Sequence, residues 1–231
     1  MLRPSSLRLT ALKKTMGSFT ISIDKLEIQS PGIYGLIGPN GCGKSTTVKL
    51  VSGILKPDSG EIYLSLDYRD ITIITQKPYI MDDTVYNNLA YPLRLRGIKN
   101  ELALCDEYLG KIGFLERKNQ QARGLSGGEK QKLALLRAMI FRPKLIILDE
   151  AMTDLDLDSL DMFERMILER QKQDPIIWII ISHQLPRIRL LCDYIFFLAN
   201  GRLETEGSTE ELLRSGNPQL ARYLKHEVLE V

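Results

Sequence analysis

Residues 38–45 decide the fold, and they are Gly38-Pro39-Asn40-Gly41-Cys42-Gly43-Lys44-Ser45, followed by Thr46. They match the pattern G-x-x-x-x-G-K-[ST], and the apolar run Ile33–Ile37 precedes them, as expected where a strand leads into a phosphate-binding loop and a helix. Glycines let backbone N–H groups approach anionic oxygens, and the helix start adds the positive end of its dipole. Lys44 would reach the terminal phosphates of a nucleotide, and the Ser45 hydroxyl would bind Mg²⁺. We interpret Cys42 as a residue that occupies its place in the loop without a chemical role, and not as a nucleophile.

Two acids end a second apolar run, which is Leu145-Ile146-Ile147-Leu148-Asp149-Glu150. A buried strand that finishes in two carboxylates usually serves a cation or a reaction. Asp149 would complete the Mg²⁺ shell beside the phosphate loop. Glu150 would then orient and deprotonate an attacking water, a contribution of roughly 10²–10⁴-fold in rate. The pair therefore predicts nucleotide hydrolysis.

The remaining strand signals predict a mainly parallel sheet. Leu145–Leu148 and Ile176–Ile181 are continuously apolar, which is typical of parallel strands buried on both faces. Phe19, Ile21 and Ile23 alternate with polar residues, as in a half-buried strand. Further strands are predicted at 61–66 and 71–75, around a turn at 67–70, and at 194–198 and 202–206, around the hairpin signal Asn200-Gly201.

Helix signals cluster in the middle of the chain. Asn100 is a candidate cap for a helix that would bury Leu102, Cys105, Leu109 and Ile112 and end at Gly113. A second helix should start near Ser126 and carry Leu133, Leu136 and Ile140, and a crossover helix between the two apolar strands is marked by Leu157, Leu160 and Phe163. Near the end of the chain, Ser208 with Glu211 and then Pro218 are typical of two helix starts.

The start of the second helix is Leu125-Ser126-Gly127-Gly128-Glu129. Ser126 and Glu129 have the spacing of a capping box, so one interpretation is a simple helix start. Two glycines in a first turn are poor helix formers, however. They are sensible if an anion from another molecule must approach the exposed N–H groups closely.

Together these motifs resemble the ATP-binding-cassette (ABC) ATPase family, in the family's order along most of the chain. The match comprises the phosphate loop Gly38–Thr46, a Q-loop glutamine at Gln76, the signature 125–129, the acids of 145–150, a D-loop aspartate at Asp156 and a switch histidine at His183. The resemblance implies an α/β fold with a P-loop NTPase core, a mostly parallel sheet, a small antiparallel edge sheet and an inserted helical subdomain. It implies one domain over 1–231, with the core at 1–77 and 143–231 and the subdomain at about 78–142.

The resemblance also implies the chemistry. ATP and Mg²⁺ are the cofactors, Glu150, His183 and Gln76 are catalytic, and Ser45, Gln76 and Asp149 hold the metal. ATP lies between the phosphate loop of one cassette and Ser126, Gly127, Gly128, Glu129 and Asp156 of another. A second copy of the chain, in a homodimer, and integral membrane permease subunits are therefore expected partners. An extracytoplasmic substrate-binding protein joins them if the system is an importer.

Three departures from the family pattern concern the site. The aromatic residue that usually stacks on adenine should lie near Met16, and Phe19 is nearby. Glu129 stands where the signature usually has Gln. Residues 151–156 are Ala-Met-Thr-Asp-Leu-Asp instead of a Pro-Thr-containing loop, although Asp156 is kept.

Composition narrows the function further. The net charge is only +2, so we expect no nucleic-acid partner. The longest apolar run, near 176–181, is far shorter than the roughly 18 residues of a membrane span, and residues 1–10 lack a signal-peptide core. Three cysteines without a C-x-x-C pair favour a reducing compartment. From these features we expect a cytoplasmic protein, with no room for an added regulatory domain after 201. The resemblance to ABC ATPases implies that it is peripheral on the inner face of the cell membrane, through permease subunits.

The cargo is predicted by resemblance alone. Residues 76–97 look like the same stretch of compact tungstate-type importer ATPases, so import of a small oxyanion such as tungstate or molybdate leads. Amino-acid importers and small exporters share the layout and stay open as alternatives. Soluble ABC proteins usually carry two cassettes or an added module, and a small-molecule kinase would leave the signature unexplained.

Overall fold

Two sheets organise the computed structural model, which describes residues 6–214 and 216–229. The first sheet is antiparallel, has the order β2-β1-β4, and consists of β1 (Leu7–Met16), β2 (Phe19–Ile28) and β4 (Ser59–Leu64). The second has the order β5-β6-β7-β3-β8-β9 and is parallel except for its last strand. Its members are β3 (Gly32–Ile37), β5 (Ile71–Thr75), β6 (Leu145–Asp149), β7 (Ile177–Ile181), β8 (Tyr194–Ala199) and β9 (Arg202–Ser208).

Eight α-helices accompany the sheets in the described part of the chain. They are α1 (Lys44–Val51), α2 (Val85–Leu95), α3 (Glu101–Lys111), α4 (Gly127–Met139), α5 (Leu157–Gln173), α6 (Leu185–Leu191), α7 (Thr209–Arg214) and α8 (Pro218–Leu229). Helices α2 to α4 follow one another between β5 and β6, without an intervening strand among the described residues. Within residues 6–214 and 216–229, no helix is both long enough and apolar enough to cross a bilayer.

The parallel strands separate two apolar cores. Every residue of β6 and β7 is buried, as their continuous apolar sequences predicted. Because side chains alternate along a strand, Trp178 and Ile180 enter the core shared with α2 to α5, whereas Ile177 and Ile179 enter the core under the antiparallel sheet. Each fully buried aliphatic side chain contributes roughly 1.5–3 kcal/mol to folding. The central strands are therefore fixed from both sides.

The predicted fold class is confirmed: the structure is α/β, with a mostly parallel sheet, a small antiparallel sheet and helices between β5 and β6. The hairpin at Asn200-Gly201 has φ 49° and 77° at these residues, as a tight β-turn requires. The limits of the helical subdomain, about 78–142, stay a prediction.

Some local predictions were wrong. Asn100 precedes α3, but it adopts a left-handed conformation and its side chain makes no capping bond. Leu102 is exposed, because the buried face of α3 centres on Cys105 and Leu109, with Tyr108 packed alongside. The crossover helix is present as α5, in which Leu160 and Phe163 are buried and the first residue, Leu157, is exposed. Strand β4 covers 59–64 rather than 61–66, and β1, α2 and α6 were not predicted.

Candidate functional site

The phosphate loop connects the end of β3 to the start of α1, and its glycines are required by the backbone. Gly38 has φ 147°, and a Cβ atom there would lie 2.0 Å from the carbonyl oxygen of Leu198. Gly43 has φ 108°, and a Cβ atom there would lie 2.9 Å from the Ile21 side chain. Only glycine fits both positions, because other residues add that atom and disfavour positive φ. The loop thus lies tightly on β8 and β2.

Lys44 and Cys42 occupy different environments within this loop. The Lys44 Nζ donates to the carbonyl oxygens of Gly38 (2.6 Å) and Pro39 (3.1 Å), so the ammonium is held over the loop. Cys42 is buried, and burial raises the pKa of its thiol. A neutral buried thiol is a poor nucleophile, which agrees with our interpretation that Cys42 has no chemical role in the loop.

The two acids lie where β6 ends, next to the loop. Asp149 is buried, and its Oδ1 accepts a hydrogen bond from the Ser45 hydroxyl at 3.1 Å. Burial raises the pKa of Asp149, because a charged carboxylate is poorly solvated in the protein interior. Two oxygen atoms that could bind a hard metal ion thus lie close together at the start of α1.

Glu150 follows in a left-handed conformation, with φ 56°. Non-glycine residues adopt this conformation rarely, and such strain is often found at functional sites. The turn directs its carboxylate to two partners: Oε2 lies 2.9 Å from the His183 Nδ1 and accepts from the Thr153 hydroxyl at 3.2 Å. His183 itself follows β7, the neighbour of β6 in the sheet. Parallel register therefore brings a carboxylate and an imidazole from separate strand ends into contact.

Gln76 lies at the same edge of the sheet. Thr75, the last residue of β5, pairs with Asp149, so Gln76 begins the loop beside Glu150. Its side chain is exposed. A cavity of about 230 Å³ lies at this edge. It is lined by Phe19, Asn40, Gly41, Gly43, Lys44, Ser45, Thr46, Asp149, Glu150 and Ile181.

The signature segment forms the predicted capping box. The Ser126 hydroxyl accepts from the Glu129 backbone N–H at 3.3 Å, and the Glu129 Oε2 accepts from the Ser126 N–H at 2.9 Å. The remaining oxygen of Glu129 binds Arg117 Nη1 at 2.5 Å, and this bond with that of Ser126 lowers the pKa of Glu129 to about 2. The carboxylate of Glu129 thus stands where the family signature usually has the amide of Gln, and the guanidinium of Arg117 lies beside it.

Asp156 caps α5. Its Oδ1 accepts from the backbone N–H and the hydroxyl of Ser159, and its Oδ2 binds Lys132 of α4 at 2.9 Å. These contacts lower the pKa of Asp156. Neither Asp156 nor Ser126–Glu129 lines the phosphate-loop cavity. The structure therefore places the predicted site residues in two separate groups on one chain.

Comparison with known proteins shows the family of the chain. The sequence model of the family described as ABC transporter matches residues 22–153, more than half of the chain. The chain belongs to the ABC transporter ATPases. It is the ATP-binding subunit of such a transporter, and members of this group hydrolyse ATP.

Two curated relatives of this ABC ATPase are importer subunits by name. The tungstate uptake system ATP-binding protein TupC of Peptoclostridium acidaminophilum is 38% identical over 205 residues, which cover 85% of this chain and 96% of that protein. The molybdate/tungstate import ATP-binding protein WtpC of Archaeoglobus fulgidus is 31% identical over 223 residues, covering 92% and 91%. A solved structure of the ATP binding subunit of an ABC transporter has a TM-score of 0.83 at 22% identity, covering 97% of this chain and 98% of that one, and it supports the fold.

The two residues that the sequence places near the adenine base, Met16 and Phe19, lie differently relative to the cavity. Met16 ends β1, is 47% exposed and does not line the cavity. Phe19, its partner across the β1–β2 turn, does line it. The hairpin places these two residues side by side, so which of them would contact the base depends on the direction of each side chain.

Two contacts of the ABC ATPase site were not predicted. Thr153 binds the carboxylate of Glu150, and Arg117 binds that of Glu129. Thr153 lies only three residues after Glu150, and its hydroxyl was the available signal. Arg117 lies twelve residues before Glu129, at the end of a short 3₁₀ helix (Leu115–Arg117), where sequence spacing predicts no contact.

Proposed function

We propose that this chain hydrolyses Mg²⁺-bound ATP to energise import of a small oxyanion, with tungstate or molybdate as the lead cargo. The contact between the carboxylate of Glu150 and His183, at the mouth of the phosphate loop, supports the ATPase site best. The cargo assignment is supported by the names of the two relatives and rests on similarity of the whole chain. It does not rest on a cargo site, because cargo passes through other subunits.

The proposed metal ligands fit Mg²⁺ chemically. The Ser45 hydroxyl and the buried Asp149 carboxylate supply hard oxygens 3.1 Å apart, and Mg²⁺ prefers such donors along with phosphate oxygens. Gln76 starts the adjoining loop and would add an amide oxygen. When bound, the ion would neutralise charge on the terminal phosphates.

The proposed reaction uses four groups of the chain. Lys44 leaves its loop carbonyls and binds the terminal phosphates, while loop amides hold the others. Glu150 orients the attacking water and accepts its proton, and His183 steadies that carboxylate and the γ-phosphate. The strained turn at Glu150 fixes its carboxylate before ATP arrives, so little reorganisation accompanies the reaction.

The Glu150→Gln variant tests this site. The amide keeps the shape but cannot accept the proton, so the turnover number should fall by roughly 10²–10⁴-fold. ATP affinity should persist, because the phosphate contacts stay intact. Glu169→Gln, an exposed change on α5, is the control and should hydrolyse normally. Near-normal turnover of Glu150→Gln would remove Glu150 from this role.

The site is completed by a second copy of the chain in this proposal. The N–H groups of Ser126 and Glu129 are used in the capping box, so the start of α4 would present the amides of Gly127 and Gly128. None of these four residues lines the cavity of its own chain. Such amides are suited to the γ-phosphate of an opposing copy. Glu150→Gln should therefore accumulate as an ATP-bound dimer in size-exclusion chromatography. A variant that binds ATP and stays monomeric at all concentrations would contradict the shared site.

Permease subunits and an extracytoplasmic binding protein would complete the importer, with this chain cytoplasmic on the inner face of the membrane. The test is reconstitution with the genomic-neighbour permease and binding protein in vesicles. Tungstate or molybdate should raise the ATPase rate, whereas sulfate, as a smaller oxyanion, should raise it less. A flat response to these oxyanions with stimulation by an amino acid would overturn the cargo assignment and leave the ATPase site intact.

A further inference from the structure

A buried ion pair lies beneath the segment that carries His183. Arg187 of α6 donates from Nη1 to the Glu164 Oε1 of α5 at 3.1 Å. The two side chains are only 18% and 11% exposed. Burial raises the pKa of Glu164, and the charge of Arg187 opposes this effect. The pair therefore ties α5 to α6 with two charges that need each other.

The same guanidinium also holds the residue next to His183. Its Nε donates to the side-chain oxygen of Gln184, which precedes α6. The backbone N–H of Gln184 in turn donates to the Ser182 hydroxyl at 3.1 Å. The residues on both sides of His183 are thus connected, and one of them is anchored to α5 through Arg187.

His183 depends on this support because its own ring is poorly enclosed. Its side chain is 48% exposed, and its hydrogen bond in the structure is the one to Glu150. Buried ion pairs add little net stability compared with apolar packing of the same volume. The advantage of this pair therefore lies in the geometry it fixes, since an arginine fork can bind two acceptors in set directions.

We propose that Arg187 is a positioning residue for ATP hydrolysis: anchored on Glu164, it fixes Gln184 and so holds His183 in contact with Glu150. The proposal rests on the roles proposed above for Glu150 and His183. It predicts an effect on the chemical step rather than on nucleotide binding, because Arg187 lies outside the phosphate-loop cavity.

The main test compares Arg187→Gln with Arg189→Gln, an exposed arginine on the same helix. In the purified full-length chain, Arg187→Gln should lower kcat by roughly ten- to a hundredfold, as expected for displacement of a catalytic group by about 1 Å. Its KM for ATP should stay within about twofold of wild type, the pattern of a lost transition-state contact. Arg189→Gln should change neither constant. Arg187→Lys keeps a positive charge for Glu164 but cannot bind Glu164 and Gln184 in the two set directions of a guanidinium. Its kcat should therefore lie between that of Arg187→Gln and that of wild type.

A second variant keeps the test decisive if Arg187→Gln does not fold. Gln184→Leu removes the acceptor next to His183 and leaves the Arg187–Glu164 pair in place, and it should also lower kcat with KM unchanged. If Arg187→Gln folds and has a normal kcat, the proposal is overturned. If Arg187→Gln does not fold, a normal kcat in Gln184→Leu overturns it. Glu150→Gln is measured in parallel. If it is inactive while these variants are normal, the positioning role alone fails; if it is active, the proposed catalytic site fails.

Discussion

The charge of Glu129 should stabilise the fold in addition to starting α4. Replacement by Gln keeps an oxygen that can accept from the Ser126 N–H but removes the negative charge opposite Arg117. Replacement by Ala removes both contacts. The two variants therefore separate the ion pair from the cap, and Lys130→Gln, a partly exposed neighbour, is a matched control.

The magnitudes follow from the burial of the pair. Arg117 and Glu129 are 37% and 26% exposed, so solvent screens their 2.5 Å contact and about 1 kcal/mol is expected from it. A helix cap contributes about 1 kcal/mol more. Glu129→Gln should thus lower the free energy of unfolding by about 1 kcal/mol, and Glu129→Ala by about 2 kcal/mol.

Urea denaturation at pH 7 in low and high salt measures these differences. The Gln effect should shrink in high salt, whereas the further loss in Ala should persist, because screening weakens the charge pair and not the cap. The pKa of Glu129 is lowered to about 2 from 4.5, so its stabilisation is complete above pH 4.5 and is lost as the pH falls toward 2. Equal unfolding free energies for wild type and Glu129→Gln at pH 7 in low salt would refute this reasoning.

Three further predictions concern glycines and the base. Gly127→Ala places a Cβ in open space, so the free energy of unfolding should rise by up to ~1 kcal/mol. ATP-dependent dimer formation should nevertheless weaken in size-exclusion chromatography, because the methyl group obstructs the opposing nucleotide. Gly38→Ala should destabilise the chain by about 3 kcal/mol in urea, since its Cβ meets the Leu198 carbonyl, whereas Gly110→Ala, with open space in α3, should not destabilise. Phe19→Ala should weaken ATP binding in calorimetry by about 1 kcal/mol and Met16→Ala by less, because Phe19 lines the cavity and Met16 does not. The reverse order would mean that Met16, not Phe19, contacts the base.

Much of the core could be predicted because its signals are local. The strands β6 and β7 are apolar at nearly every position, and both faces are indeed buried. The capping box at Ser126 and the Asn200-Gly201 turn each depend on residues within four positions of one another. Glycines and acids placed after apolar runs identified the phosphate loop and its carboxylates for the same reason.

Other elements could not be predicted because their partners are distant in sequence. Strand β1 carries charged, exposed residues and has a register shift between Thr10 and Lys13, so its pattern is defined only by pairing with β2 and β4. Helix α2 contains Pro92, and its buried Asn88 binds the backbone of Met81 ahead of the helix. The ion pair between Arg187 and Glu164 joins residues that are 23 positions apart.

The separation of the phosphate loop from the signature segment has a genetic consequence. In the proposed dimer, a chain with Lys44→Ala lacks a working loop but still offers its signature to the other copy. A chain with Gly128→Asp offers a charge that repels phosphate, yet keeps its own loop. Each variant alone has no complete site.

A mixed dimer of these two variants would contain one site in which both halves are intact. Co-expression of two inactive alleles should therefore restore ATP hydrolysis that neither shows alone. A chain whose site were complete within one molecule would show no such complementation.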